Sequence, residues 1–142
     1  IITNLGGAML CARSAIPLME SGGHIINITS ESVAVPMPHL SVYRSTKAGL
    51  EKLSEAMAEE LEEEGIRVTT VRAGPMYEDG KTWDVPMEAK MAFHEACLKI
   101  GINLMERPIT QFTSVLGLFH TLADLPQDVH IGQVNLQARK TS

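Results

Sequence analysis

Cysteine is scarce in this sequence, with only Cys11 and Cys97 among its 142 residues. Two cysteines are too few for a disulfide framework, and neither has a second cysteine at the spacing of a zinc finger. We therefore interpret both as buried thiols in a reducing compartment and expect a cytoplasmic protein. The sequence also lacks an apolar run of the ~20 residues that a membrane span needs, and its first residues have no basic flank typical of a signal peptide.

Basic residues are also few, with 12 lysines and arginines against 17 aspartates and glutamates and a net charge of −5. No stretch is basic enough to neutralise a phosphate backbone, which excludes nucleic acid and an anionic membrane surface as expected partners. The five histidines form no pair at zinc-ligand spacing on one helix face. We therefore expect no metal site.

Apolar residues recur at helical intervals in four segments, and three short β-branched runs lie between or after them. Strands that alternate with helices indicate right-handed crossovers and a parallel sheet with helices on both faces, so the predicted fold class is α/β. Ser41 is the predicted N-cap of the second helix, and Gly65 is its predicted left-handed terminator. The predicted helices cover residues 4–21, 41–64, 86–105 and a segment starting at 108, and the predicted strands are HIINIT, IRVTTV and IGQVNL.

Two polar or small residues come directly after predicted strands. Ser30 follows the first strand and Gly74 follows the second. In folds of this class, functional sites gather beyond the carboxyl ends of the strands. We therefore expect chemistry at this edge of the sheet.

A tyrosine and a lysine four residues apart stand at the start of the second predicted helix. Because a helix advances ~1.5 Å and ~100° per residue, Tyr43 and Lys47 lie on one face about one turn apart. A nearby ammonium favours the phenolate form of a tyrosine, which suits general acid/base catalysis. The alternative is an exposed pair without a function, because this spacing also arises by chance.

The residues around this pair resemble the short-chain dehydrogenase/reductase family. That family has a serine at the end of a strand like IINITS, thirteen residues before its tyrosine, and Ser30 precedes Tyr43 by the same interval. Its asparagine lies on the preceding helix in a context like NLGGAMLCARSAIPLM, where Asn4 stands. After Lys47, the stretch AGLEKLSEAMAEELEEEGIRVTTV follows the family's pattern of helix, glycine and strand. The resemblance covers nearly the whole chain.

The resemblance implies a partial Rossmann-like fold and hydride transfer between a nicotinamide cofactor, NAD or NADP, and a carbonyl or alcohol substrate. Tyr43 would be the general acid/base, Ser30 would hydrogen-bond the substrate oxygen, and Lys47 would assist the phenol and hold the nicotinamide ribose. Asn4 would order a water molecule between Lys47 and solvent. Two alternatives stay open: Ser32 takes the role of Ser30, or Asn4 only caps the first helix.

The loop after the second strand departs from the family pattern. The family has a Pro-Gly turn whose later backbone groups meet the nicotinamide carboxamide, and a threonine follows. Here Ala73 replaces the proline, Gly74 is kept, and Met76 occupies the carboxamide-contacting position. Glu78 stands where threonine is common, and a carboxylate near a pyrophosphate is unfavourable unless it turns away or meets a cation. We expect Gly74 and Met76 to contact the cofactor.

The Gly-rich turn with which the family binds the dinucleotide pyrophosphate has no counterpart in this sequence. The pairs Gly6-Gly7 and Gly22-Gly23 lie within and at the end of the first predicted helix. The resemblance therefore implies that residues 1–142 form one partial domain, the carboxy-terminal half of the fold.

The segment 77–105 resembles the family's substrate lid. Methionine suits surfaces that repack, and the candidate walls of a substrate pocket are Trp83, Met87, Met91 and Phe93. The alternative is that these side chains are ordinary core. His39, in the loop before Tyr43, is a further candidate for substrate contact, and its alternative is an exposed loop histidine.

Family members pair two long helices across a subunit interface, which here are the predicted helices 4–21 and 41–64. The resemblance therefore implies a homodimer or homotetramer. The competing hypothesis is a catalytically silent fragment or pseudoenzyme that keeps this helical interface and acts as a binding or assembly module. The missing Gly-rich turn and Glu78 favour that hypothesis, whereas the intact Asn4, Ser30, Tyr43 and Lys47 favour catalysis.

Overall fold

The structure is a computed structural model, and it describes residues 1–140. These residues form five strands and four α-helices, which alternate except that β3 follows β2 directly. A π-helical turn, Ile2–Gly6, comes before the first α-helix. The strands are β1 (His24–Ser30), β2 (Arg67–Ala73), β3 (Met76–Tyr77), β4 (Thr110–Gln111) and β5 (Gln133–Leu136), and the helices are α1 (Gly7–Ala15), α2 (Ser41–Glu60), α3 (Met87–Lys99) and α4 (Leu116–Ala123).

The central sheet has three parallel strands in the order β1, β2, β5. Val68 and Val71 of the middle strand are almost fully buried, as expected for a strand covered on both faces. Thr29 lies opposite Arg72, and the last residue of β1, Ser30, lies opposite Ala73. The prediction of an α/β fold with a parallel sheet is confirmed.

The apolar core lies between the first two helices and the sheet. Ala12 of α1 packs with Met57 of α2 and with Val68 of β2, and all three are at most 8% exposed. Leu61 and Ile66, on either side of the turn after α2, complete this cluster. The core therefore fixes α2, which carries the candidate tyrosine and lysine, against the strands that end at the expected site.

Several boundaries differ from the predictions; for example, α3 ends at Lys99, before the predicted residue 105. The first helical segment starts as a π-turn at Ile2 and ends with a 3₁₀ turn at Leu18, before the predicted residue 21. The prediction that Ser41 is an N-cap was wrong, because α2 begins at Ser41 and Leu40 holds the cap position. The prediction of a helix starting at Pro108 was also wrong: β4 follows this proline, because Thr110 pairs with Met76.

Two other details concern single residues. Gly65 has φ of 70°, so its prediction as a left-handed terminator after α2 is confirmed. Cys97 is buried as expected, but the same prediction for Cys11 was wrong, because this thiol is exposed on α1. Within residues 1–140, no helix combines the length and the apolarity required to cross a membrane.

Candidate active site

Ser30 is the last residue of β1, where the strand turns into a short 3₁₀ segment, Glu31–Val33. Its Oγ accepts hydrogen bonds from the backbone N–H of Ser32 at 3.2 Å and from the Ser32 hydroxyl at 3.0 Å. A hydroxyl that accepts two hydrogen bonds still has its own proton to donate. Ser32 is buried and directed at Ser30, so Ser30 has the more accessible hydroxyl of the two.

Tyr43 and Lys47 lie one turn apart on α2, as their spacing predicted. The Lys47 Nζ is 5.9 Å from the centroid of the Tyr43 ring, and the tyrosine is 38% exposed. The same Nζ donates a hydrogen bond to the backbone oxygen of Ile28 at 2.8 Å. Burial lowers the pKa of Lys47 from its ordinary value. The ammonium therefore lies between the tyrosine and the strand that ends at Ser30.

Arg44 links the loop after Ser30 to the helix that carries Tyr43. Its Nε donates a hydrogen bond of 2.7 Å to the backbone oxygen of Ser32. The sequence reasoning missed this residue, because the family pattern specifies nothing at the position after the tyrosine. The contact stabilises the loop against the first turn of α2, and so couples the serine and the tyrosine.

Asn4 lies inside the π-turn and contacts α2 through a threonine. Its Nδ2 is 3.4 Å from the Thr46 Oγ1, which itself donates to the backbone oxygen of Tyr43 at 2.7 Å. The alternative in which Asn4 only caps the first helix is wrong, because the cap position of α1 is Gly6.

Gly74 lies where the chain leaves β2. Its backbone N–H donates to the Leu136 oxygen at 2.8 Å, and a Cβ at this position would meet the same oxygen at 2.8 Å. This close approach requires glycine, because the backbone of β5 fills the space that a side chain would take. Met76 follows in β3, and the Glu78 carboxylate pairs with Lys81 at 2.8 Å. The Lys81 ammonium thus partly neutralises the Glu78 carboxylate. This is one of the two ways in which a carboxylate near a pyrophosphate becomes less unfavourable.

The candidate lid residues separate into two groups. Trp83 packs edge-to-face against Phe93, with ring centroids 5.7 Å apart, and also lines a cavity of about 260 Å³ with Met76 and Phe112. Met87 and Met91 are 68% and 58% exposed on α3 and do not line this cavity. The interpretation of these methionines as core is therefore wrong, because no described element covers them.

A further ion pair connects the end of the segment 77–105 to the serine loop. The Arg107 guanidinium donates to the Glu31 carboxylate at 2.6 Å, and Glu31 follows Ser30 directly. The Glu31 carboxylate is also 3.7 Å from the Cβ position of Gly74. His39, the other loop candidate, is exposed with φ of 59°, so it is a turn residue whose side chain faces solvent.

The Lys47 ammonium at this edge of the sheet suits the ribose hydroxyls of a nicotinamide cofactor. The ammonium of Lys47 has three donors, and only one is directed at Ile28 O among the contacts of residues 1–140. In the same described range, no group of three or more histidine, cysteine, aspartate or glutamate side chains is placed to hold a metal ion.

Comparisons with known proteins identify the family of this chain. A family model described as enoyl-(acyl carrier protein) reductase matches residues 1–111. A short-chain type dehydrogenase/reductase of Picea abies is 38% identical over 78 residues, which are 54% of this chain and 29% of that protein. The oxidoreductase YxbG of Bacillus subtilis (strain 168) is 37% identical over 93 residues, which are 65% of this chain and 32% of that protein.

Solved structures share the fold. Serine dehydrogenase in its closed form, complexed with NADP⁺, superposes with a TM-score of 0.74 at 24% identity, covering 94% of this chain and 52% of that one. The angucycline C-6 ketoreductase LanV with bound NADP gives a TM-score of 0.70 at 19% identity, covering 93% and 49%. The chain thus spans about half the length of these structures, and the alignments span a third or less of the curated relatives.

The fold and the family model that matches residues 1–111 together assign the chain to a family of oxidoreductases. The chain belongs to the short-chain dehydrogenase/reductase family.

Proposed function

We propose that a protein containing this chain transfers a hydride between NAD or NADP and a carbonyl or alcohol substrate, with Tyr43 as the general acid/base. The observation that carries the proposal is the position of the Lys47 ammonium, 5.9 Å from the Tyr43 ring and bonded to β1 two residues before Ser30. Three groups suited to carbonyl chemistry thus come from two elements that meet at one edge of the sheet.

The proposed proton chemistry uses this chain's own side chains. In the direction of reduction, the Tyr43 hydroxyl donates its proton to the substrate oxygen, and the adjacent Lys47 ammonium stabilises the phenolate that remains. The Ser30 hydroxyl, which accepts two hydrogen bonds from Ser32, donates its own proton toward the same oxygen. A bound nicotinamide supplies or accepts the hydride. Asn4 and Thr46 support the helix backbone at Tyr43.

The cofactor assignment is supported by the family and by relatives whose structures hold NADP. For this chain we propose that Lys47 binds the ribose hydroxyls and that Gly74 and Met76 face the carboxamide. We also propose that residues 1–142 act as one part of a larger cofactor-binding domain, with 77–105 as the substrate lid. The exposed Met87 and Met91 then face a substrate that covers them.

The test uses the full-length protein that contains this chain and a panel of carbonyl compounds. The rate of reduction is measured as the loss of absorbance of the reduced nicotinamide. Tyr43→Phe should lower turnover by about 10²- to 10⁴-fold, because it removes the proton donor while keeping the ring. Ser30→Ala should lower it by about 10²- to 10³-fold, as loss of an oxyanion donor does. Ser114→Ala, an exposed serine outside α1 and α2, is the control and should keep full turnover.

The competing proposal is a catalytically silent module that keeps the helical interface. Cofactor binding without turnover of any carbonyl in the wild-type protein would favour this module. Exposed apolar side chains on α1 and α2, including Leu10 and Val42 at 61% each, support assembly as a homodimer or homotetramer in both cases. Leu10→Glu should then shift the mass measured by light scattering to that of a smaller assembly.

A further inference from the structure

A buried carboxylate lies one helical turn beyond Lys47. Glu51 of α2 is only 7% exposed, although glutamate is rarely buried without a partner. Its two oxygens accept hydrogen bonds from the Arg72 Nε at 2.8 Å and Nη2 at 2.6 Å, and one of them also accepts from the Thr29 hydroxyl at 2.8 Å. The carboxylate is therefore held by three donors from two strands.

The two residues that hydrogen-bond Glu51 lie on neighbouring strands and are paired with each other. Thr29 lies directly opposite Arg72 in the pairing of β1 with β2. The next residue pair is Ser30 with Ala73, after which the chain leaves β2 at Gly74. The carboxylate thus bridges both strands immediately before the edge at which the candidate site lies.

The same helix face carries the candidate catalytic residues. Lys47 and Glu51 are four residues apart, so they lie on one face with their α-carbons about 6 Å apart along the axis. Lys47 contacts β1 at Ile28 O, and Glu51 contacts β1 at the Thr29 hydroxyl. The helix thus contacts two consecutive residues of the strand that ends at Ser30.

Stability alone does not explain this arrangement. A buried ion pair contributes little to stability compared with apolar residues of similar volume, because desolvation of both charges opposes their attraction. Its directional bonds nevertheless define one alignment of helix and sheet. Burial by itself raises the pKa of Glu51, but the hydrogen bonds from Arg72 and Thr29 outweigh it, so the pKa is lowered and the carboxylate stays charged.

We propose that Glu51, held by Arg72 and Thr29, is a positioning residue that aligns Tyr43 and Lys47 with Ser30 for the transfer of the proton. This inference rests on the proposed function. It assigns a role in the reaction to a side chain that does not touch the substrate. Misplacement of reacting groups by about 1 Å costs about 10²-fold in rate, so a small shift of α2 is sufficient for a large effect.

The test compares Glu51→Gln with Glu55→Gln in the full-length protein. Glu55 lies one turn further along α2, where it is exposed and pairs with Lys52, so it is a matched control. Glu51→Gln should lower kcat by at least about tenfold. It should raise the Kd for the reduced cofactor by a smaller factor than it lowers kcat, because Lys47 and its proposed contact with the ribose are retained. Glu55→Gln should change neither quantity.

A second variant separates position from stability. Glu51→Leu combined with Arg72→Met replaces the ion pair by apolar groups and should restore the thermal midpoint, while kcat stays low. Recovery of kcat to the wild-type value in this double variant would overturn the positioning role. If the double variant does not fold, Thr29→Val, which removes only one hydrogen bond, should still lower kcat with KM unchanged, and an unchanged kcat would overturn the proposal.

The outcomes also distinguish this inference from the function on which it rests. Absence of turnover in the wild type, or full turnover in Tyr43→Phe, contradicts the proposed function itself. An active wild type and an inactive Tyr43→Phe, together with an unchanged kcat in Glu51→Gln, contradict the positioning role alone.

Discussion

Two regions of the molecule differ in which side chains they bury and which they expose. In residues 24–73, which we call the layered region, Glu51 and Thr29 are buried with their hydrogen bonds made, and Val71 is fully covered. In the lid-like segment, residues 77–105, apolar side chains such as Met87 are exposed instead, and the ion pair between Glu78 and Lys81 faces solvent.

The two regions thus differ in how firmly packing and hydrogen bonds fix their side chains. Buried, fully bonded polar groups specify one arrangement of helix and strands. Exposed methionines make few contacts and adapt to whatever covers them. The proposed catalytic residues Ser30, Tyr43 and Lys47 lie in the layered region, and we propose that the lid-like segment selects the substrate. Matched substitutions in the two regions test this division.

The largest expected effect comes from breaking one ion pair in each region. Arg72→Met leaves the buried Glu51 carboxylate without its cation and should lower the free energy of unfolding by about 3–5 kcal/mol. Lys81→Met removes an exposed partner of Glu78 and should cost about 0–1 kcal/mol. Urea denaturation of both variants provides the measurement. Equal losses would contradict the division into two regions.

The pH dependence of the same pair has a defined sign. The pKa of Glu51 is lowered in the folded state, so its contribution to stability is fully present above the ordinary glutamate pKa of about 4.3. That contribution is lost as the pH falls through the lowered value. Wild type and Arg72→Met should therefore converge in stability on acidification, and a constant difference down to the acid limit would be evidence against the buried pair.

A pair of methionines gives the next largest effect. Met57 is 7% exposed in the core, and Met57→Ala should cost about 2–5 kcal/mol through lost burial and a residual cavity. Met91 is 58% exposed, and Met91→Ala should change stability by no more than about 0.5 kcal/mol. Thermal unfolding followed by circular dichroism measures both. A costly Met91→Ala would mean that the lid-like segment has a core of its own.

Two left-handed glycines give a smaller contrast. Gly65 and Gly80 have φ of 70° and 77°, so alanine at either position should cost about 1–2 kcal/mol in backbone strain. At Gly65 the new Cβ also meets the Ser21 Oγ at 2.5 Å, whereas nothing lies within 4 Å at Gly80. Gly65→Ala should be the costlier change in urea titrations, and Ser21→Gly should remove part of the excess. Equal costs with and without Ser21 would rule out this contact.

The smallest effect lies within α2 and compares two lysines. Burial lowers the pKa of Lys47, whereas the hydrogen bond and charge of Glu55 raise the pKa of the exposed Lys52. NMR titration of the side-chain Cε signals, assigned with Lys47→Arg and Lys52→Arg, should therefore show Lys47 losing its proton first. The reverse order would place Lys47 in solvent and weaken its proposed contact with β1.

Much of the layered region was predictable because its signals are local. Three-residue and four-residue apolar spacing indicated α2, a β-branched run indicated β1, and a glycine at 65 indicated the helix end. Parallel strands then bring Ser30 to the same edge as Gly74 without further information. The spacing of Tyr43 and Lys47 places both on one helix face in any structure that keeps α2 helical.

Other contacts were unpredictable because they join residues that are distant in sequence. Two examples are the hydrogen bonds from Arg44 to Ser32 and from Arg107 to Glu31. Both depend on how the loops pack against the sheet. The pairing of Met76 with Thr110 likewise converted an expected helix start into a strand. A two-residue strand has too little pattern of its own to be visible in a sequence.

By itself, the sequence determined the alternation of helices and strands, the order of Ser30, Tyr43 and Lys47, and the turn at Gly65, because each follows from spacing and backbone preference within a few residues. Only the tertiary structure decided that the charge of Glu51 would be buried against Arg72, 21 residues away. The physical reason is that a buried charge is stable only with a partner, and strand register selects that partner.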